Sequence, residues 1–160
     1  SCIAASFGNL EWVKKSMTIQ IISHDKINQL RHVLYFRDLD GVKEHMRKHA
    51  AIMRPKFELV LDTLERELGG LEIGTWTKPL GGYFISFDSM DGCAKAIVEK
   101  CRDAGVTLTG AGATYPYKKD PRDRNIRIAP SYPTLEELKV TTELFVLCVK
   151  LVSVEKLLEG

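Results

Sequence analysis

Hydrophobic positions recur at three- and four-residue steps over most of this chain and at every second residue in only a few short stretches, so helices with a little sheet are expected. Asn9 can cap a short helix through Trp12 and Met17, and Asp25 a second carrying Ile27, Leu30, Val33 and Leu34 at helical spacing. The turn-rich residues 36–41 separate these from a long pattern over 42–68. There Met46, His49, Met53, Phe57, Val60, Leu61, Leu64 and Leu68 share one face. Pro55 lies inside it and predicts a kink, because proline removes one helical hydrogen bond. Gly69-Gly70 stops the helix.

The pattern then changes period. Residues 75–82 read as a turn and Tyr83 to Asp88 as the strongest strand. An amphipathic helix over 91–104 turns Ala94, Ile97, Val98 and Cys101 inward and ends at Gly105, and Val106-Thr107-Leu108 reads as a second short strand. A glycine-rich loop, Thr109 to Tyr117, precedes a charged excursion over 118–124. In Asn125-Ile126-Arg127-Ile128-Ala129 the isoleucines alternate with Arg127, which predicts a strand with one buried face and the guanidinium on the other. Pro130 and Pro133 end it, and Thr134 with Glu137 forms a capping box for a last helix. Leu135, Leu138, Leu144, Phe145, Cys148, Leu151 and Val152 give that helix its apolar face. The expected fold is α+β: a small, mostly antiparallel three-stranded sheet with helices packed on one face, preceded by a long kinked helix. The first 70 residues do not complete a domain by themselves.

Composition narrows the function classes. The chain has 160 residues, 44% hydrophobic and 28% charged, enough for one ordinary core. A formal net charge of +2 is too small to argue for nucleic acid or an anionic membrane as partner, and neither is expected. No apolar run approaches the roughly 18 residues of a membrane span. The four cysteines, Cys2, Cys93, Cys101 and Cys148, form no C-x-x-C pair and read as reduced thiols of a cytoplasmic protein. The opening Ser1-Cys2-Ile3-Ala4-Ala5-Ser6-Phe7-Gly8 is small and apolar from the first position, unlike a solvated chain end, and reads as the middle of a longer protein.

Arg127 is the leading candidate for chemistry. A planar, permanently charged fork on a fixed strand suits bidentate recognition of a carboxylate, whereas the ordinary alternative is a solvent-facing strand arginine. His45 and His49 have a metal-compatible spacing, but Met46 follows His45 and no third ligand appears, so no metal is expected. The loop at 109–112 lacks the phosphate-loop lysine and opens no helix. Lys118, Lys119, Arg122, Arg124 and Arg127 with Tyr115 and Tyr117 resemble a single-strand-binding surface, diluted by Asp120 and Asp123. Lys14-Lys15 reads as two solvated lysines rather than a reactive amine. No local Ser-His-Asp or Cys-His set ties a nucleophile to a base.

Several of these features occur in one order: the long helix, Leu80-Gly81-Gly82-Tyr83-Phe84, the helix ending at Gly105-Val106, the loop Thr109-Gly110-Ala111-Gly112, and Asn125-Ile126-Arg127-Ile128-Ala129 before a final helix. Together they resemble the C-terminal part of a class I/II aminotransferase, a fold type I pyridoxal-phosphate enzyme, and more particularly its aspartate-aminotransferase-like branch. The resemblance covers essentially the whole chain. It implies that residues 1–40 are the tail of the large cofactor domain, 41–70 the interdomain helix and 71–160 the C-terminal small domain.

The same resemblance implies roles for single residues. Arg127 matches the arginine that clamps the substrate α-carboxylate, and Asn125 flanks it on the same strand face as a second substrate-binding candidate. Gly81 and Gly82 match the turn into the small-domain strand. No catalytic residue is expected within the chain, because the lysine that holds pyridoxal 5'-phosphate as an imine would lie ahead of Ser1. The implied activity is amino transfer between an amino acid and a 2-oxo acid by a homodimer, with these 160 residues silent alone. The alternative is the effector-binding portion of a transcription regulator built on an aminotransferase fold, which a DNA-binding segment ahead of Ser1 would reveal.

Overall fold

The computed structural model describes residues 3–159. The thiol of Cys2 and the first two positions of the apolar opening lie outside them. The chain divides into two units, Ser1–His49 and Ala50–Gly160.

The first unit is helical. Helix α1 spans Phe7–Gln20 and α2 spans Lys26–Phe36. Asp25 caps α2 as its sequence position predicts, its carboxylate accepting from the Asn28 amide at 2.9 Å. Asn9 does not cap α1. The helix begins three residues earlier, at Phe7 with Ser6 at the N-cap, and no side-chain bond closes it. Neither helix buries a single residue. A third helix, α3, spans Leu39–Leu68, and the division between the units falls within it. Its opening turn is held by Asp38, whose carboxylate accepts from the Gly41 amide at 2.9 Å.

The second unit has its own core. Helix α3 runs unbroken through Pro55. Proline is tolerated there because Pro55 and Ala51, the residue whose carbonyl loses its partner, are both exposed to water. From Val60 onward the helix buries Val60, Thr63, Leu64 and Leu68. Strand β1 is Gly74–Trp76, β2 is Ile85–Ser89 and β3 is Asn125–Ile128, in the order β1-β2-β3 with both pairings antiparallel. Helix α4, Ala94–Asp103, and helix α5, Leu135–Glu159, pack with α3 on one sheet face. This is the expected α+β architecture: a small antiparallel three-stranded sheet covered on one side.

One strand differs from the expectation. Val106-Thr107-Leu108 pairs with no strand, and Gly74-Thr75-Trp76, whose last two residues the sequence places in a turn, takes the third place. Close approach explains the choice of Gly74. A Cβ there would sit 2.5 Å from Phe87 Cζ, so a residue without a side chain lets the edge strand close over the central ring. Val106 is occupied otherwise, its amide donating to the Cys101 carbonyl at 2.8 Å while Gly105, at φ 90°, donates to Arg102. That is a helix C-terminal closure rather than a ladder.

The core gathers Ile85, Phe87, Ile126 and Ile128 from the sheet with Ile97 and Cys101 of α4 and Phe145, Val149 and Val152 of α5. Phe87 meets Phe145 edge-on at 5.2 Å and stacks with Trp76 at 6.2 Å. On α5, Leu138, Phe145, Cys148 and Val152 are buried as expected, but Leu135 and Leu151 are exposed. Cys93, Cys101 and Cys148 are buried free thiols. Burial, reinforced by the Cys148 thiol beside it, pushes Cys101 up to about 12, which makes it a small hydrophobe rather than a nucleophile.

Candidate functional site

The sheet face turned away from the helices is polar. In β2 the side chains alternate, with Ile85, Phe87 and Ser89 buried and Ser86 and Asp88 on the opposite face. Ser86 lies opposite Arg127 and Asp88 opposite Asn125. Four polar side chains therefore share this face because two core-facing isoleucines in β3 are matched to Ile85 and Phe87 in β2.

Arg127 stands where its sequence alternation predicts, on the face opposite Ile126 and Ile128. Among the described residues it forms no ion pair with a carboxylate. Its buried Nε has no hydrogen-bond partner. Its guanidinium carbon lies 4.3 Å from the centroid of the Phe84 ring. The nearby acids are engaged elsewhere. Asp88 accepts from Asn125 Nδ2 at 2.7 Å and faces Arg124 Nε at 3.8 Å, while Asp91 pairs with Arg122 at 2.9 Å and with Arg124 at 3.7 Å. A buried donor left unmatched on a permanent cation costs free energy, and an incoming anion relieves that cost.

Asn125 is buried, and its amide is taken up inside the protein. Its Nδ2 donates to Ser86 Oγ at 2.9 Å and to Asp88 Oδ1, and its Oδ1 accepts from Thr114 Oγ1. Its backbone carbonyl accepts from the Gly112 amide at 3.0 Å. The residue thus ties β3 to β2 and to the glycine-rich loop. Gly112 has φ 72°, and an added Cβ would sit 3.2 Å from the Asp120 amide nitrogen, so the loop needs glycine at that point.

Asp120 organises the start of the same strand. Its carboxylate accepts from the amides of Arg122 at 2.9 Å, Arg124 at 2.8 Å and Asn125 at 2.8 Å. Burial works to raise its pKa, but those three amides and the Arg124 charge outweigh burial and hold the carboxyl below the usual carboxylate range. At the far end of β3, Lys56 of α3 donates to the carbonyls of Ser131, at 2.8 Å, and Pro133. The strand bearing Arg127 is therefore fixed at both ends.

Sequence reasoning missed Asp120, Lys56 and the role of Phe84. Asp120 reads in sequence as a diluting charge in an exposed excursion. The signal was its position five residues ahead of Asn125 in a turn, where an aspartate often caps backbone amides. Phe84 was readable, since alternation puts it on the same face as Ser86. The Lys56 contact spans more than seventy residues, and nothing local announces it. In the basic cluster, Arg122 and Arg124 are paired with acids, leaving no continuous cationic strip. The His45 and His49 rings lie tilted to one another at 4.7 Å between centroids, and no group of three metal-ligating residues occurs among the described residues. Lys14 is exposed and paired with Glu11 at 3.2 Å. No helix among the described residues is long and apolar enough to cross a membrane.

The class of protein defined here is an α+β module with a small antiparallel sheet whose polar face carries a strand arginine without a carboxylate partner among the described residues. The aspartate amino-transferase family profile matches residues 1–160, and the chain belongs to that family. It is 43% identical over 155 residues to the aspartate aminotransferase of Corynebacterium glutamicum, covering 97% of this chain and 36% of that protein. The crystal structure of an aspartate transaminase from the same organism superposes with a TM-score of 0.86 at 44% identity, over 94% of this chain and 36% of the other. LysN, the alpha-aminoadipate aminotransferase of Thermus thermophilus, solved with N-(5'-phosphopyridoxyl)-L-leucine, shares the fold at 17% identity and a TM-score of 0.61, over 71% of this chain and 28% of that one. The chain spans little more than a third of the length of the curated relatives it matches.

Proposed function

We propose that these residues are the C-terminal part of a pyridoxal-phosphate-dependent aminotransferase that moves an amino group between an amino acid and a 2-oxo acid, with Arg127 receiving the substrate α-carboxylate. The observation that carries this reading is the guanidinium without an acid partner, its buried Nε unmatched, on a strand pinned by Asp120 and Lys56. A fork held this way pairs bidentately with a carboxylate and so orients the donor's Cα. Asn125 serves as a positioning residue, since its own amide is consumed in holding β2, β3 and the loop together.

The residues present do not form a cradle for the cofactor. Among the described residues the polar face offers one free cation, its Ser86 and Thr114 hydroxyls are engaged, and Lys14 lies paired and exposed on α1. Pyridoxal phosphate and the lysine that holds it are therefore assigned to the part of the whole protein outside these residues. The 160 residues alone are then silent. In the domain scheme that goes with this reading, residues 1–40 belong to the large domain, 41–70 to the interdomain helix and 71–160 to the small domain. In the same reading the whole enzyme is a homodimer of the cytoplasm.

The test is Arg127→Ala in the full-length protein. Two charged hydrogen bonds of roughly 1.5–3 kcal/mol each are lost, so kcat/KM for the best amino acid falls by about a hundredfold or more. Arg127→Lys keeps the charge without the fork and recovers only part of it. Unchanged turnover in Arg127→Ala rules out the carboxylate role.

A further inference from the structure

We infer that Phe84 is a positioning residue for the substrate carboxylate, acting through Arg127; this rests on the carboxylate role just proposed. Ser86 is the residue directly opposite Arg127, and Phe84 stands two positions before it on the same face. That is the diagonal cross-strand position, within reach of a long side chain. The ring is used accordingly, with Arg127 Cζ 4.3 Å from its centroid.

Two ways exist to hold an arginine still. An adjacent carboxylate holds it by ion pairing, takes up its N–H groups and neutralises its charge. An aromatic face attracts the cation through the ring quadrupole and adds no negative charge. Here the acids within the same network, Asp88 and Asp91, are bonded to Asn125, Arg122 and Arg124. The aromatic face is what remains beside Arg127, and its Nε stays unmatched. The arrangement confines the guanidinium while leaving its charge for a ligand. Phe84 is itself 46% exposed, so the ring is not part of the packed core, and its placement is not explained by burial. The turn before it supports the placement, because Gly82 adopts φ 88° as the chain enters the strand.

The experiment is a mutant cycle in the full-length enzyme. The amino donor is the proteinogenic amino acid that the wild type turns over fastest, found by screening the set. Phe84→Leu lowers kcat/KM about 2- to 30-fold, the range of a cation–π contact, and the loss falls mainly on KM. Phe84→Tyr, which keeps the ring face, stays within about twofold of wild type. In an Arg127→Ala background, Phe84→Leu adds nothing further. A purely structural role predicts the same loss with and without Arg127, and that result overturns the inference. So does a Phe84→Tyr defect as large as that of Phe84→Leu, or wild-type kinetics in Phe84→Leu. If Arg127→Ala itself leaves turnover intact, or no amino acid is turned over, the underlying carboxylate reading fails instead, which is a distinct outcome.

Discussion

The two units of this chain spend their hydrophobic residues differently. In Ala50–Gly160, Val60, Leu64, Ile85, Phe87, Ile97, Ile126 and Val149 are fully shielded and touch one another across three helices and a sheet. In Ser1–His49, helices α1 and α2 carry Trp12, Ile19, Ile27, Leu30, Val33 and Leu34 at comparable density, yet all are exposed. Helical spacing of apolar residues is thus not sufficient for a core. Residues on one helical stripe are buried only when another apolar surface is held against them. The second unit supplies that surface itself through a sheet face. The first has none of its own, which accords with relatives almost three times as long.

Paired substitutions sharpen this contrast, and the largest effect belongs to the second unit. Phe87→Ala removes a ring that is 0% exposed and in contact with Trp76 and Phe145, and should cost about 3–5 kcal/mol in urea unfolding of the 160-residue chain. Leu30→Ala in α2, at a side chain 55% exposed, should stay within about 0.5 kcal/mol. Equal costs at the two positions would break the comparison, because they would mean that α2 buries its stripe in the isolated chain.

Asp120→Ala comes next. It strips three backbone amides of their acceptor and should cost about 1–3 kcal/mol. The pH dependence has a definite sign. The folded carboxyl titrates below its unfolded value of roughly 3.9, so its contribution is complete above that pH and is lost as pH falls through the folded pKa. Unfolding midpoints measured from pH 6 downward should therefore fall less steeply in Asp120→Ala than in wild type. Identical slopes would remove Asp120 from its role at the base of β3.

Thr134→Ala is the smallest of the three. Thr134 and Glu137 exchange backbone and side-chain bonds at 2.9 and 3.2 Å, and the bond from the Thr134 amide is the chief reason the Glu137 carboxyl lies below its ordinary range. A cap of this kind is worth about 0.5–2 kcal/mol, readable as a lowered thermal midpoint. Asp25→Ala at the α2 cap should leave the cooperative transition of the second unit unmoved, since it relieves nothing in that unit's core.

Much of the fold was legible because its causes are local. The caps at Asp25 and Thr134, the stop at Gly105 and the alternation around Arg127 each depend on residues a few positions apart, and each stands as read. The face on which Arg127 lies follows from Ile126 and Ile128 alone. The third strand was misread because a three-residue edge strand has almost no period. What selects Gly74-Thr75-Trp76 over Val106-Thr107-Leu108 is contact with Phe87, which is distant in sequence, together with the local helix closure that ties the Val106 amide to Cys101.

The amino-acid order by itself determined that a guanidinium would stand on the open face of a short strand, since side-chain alternation is a property of the backbone. Whether that cation would be neutralised was decided only by the tertiary structure. Strand register set Asp88 against Asn125 and left Ser86 and Phe84 for Arg127, and the loop returning through Arg122 and Arg124 occupied the remaining acid. Pairing depends on which groups end up within a few ångströms of one another, and here chain folding brought together residues some forty positions apart.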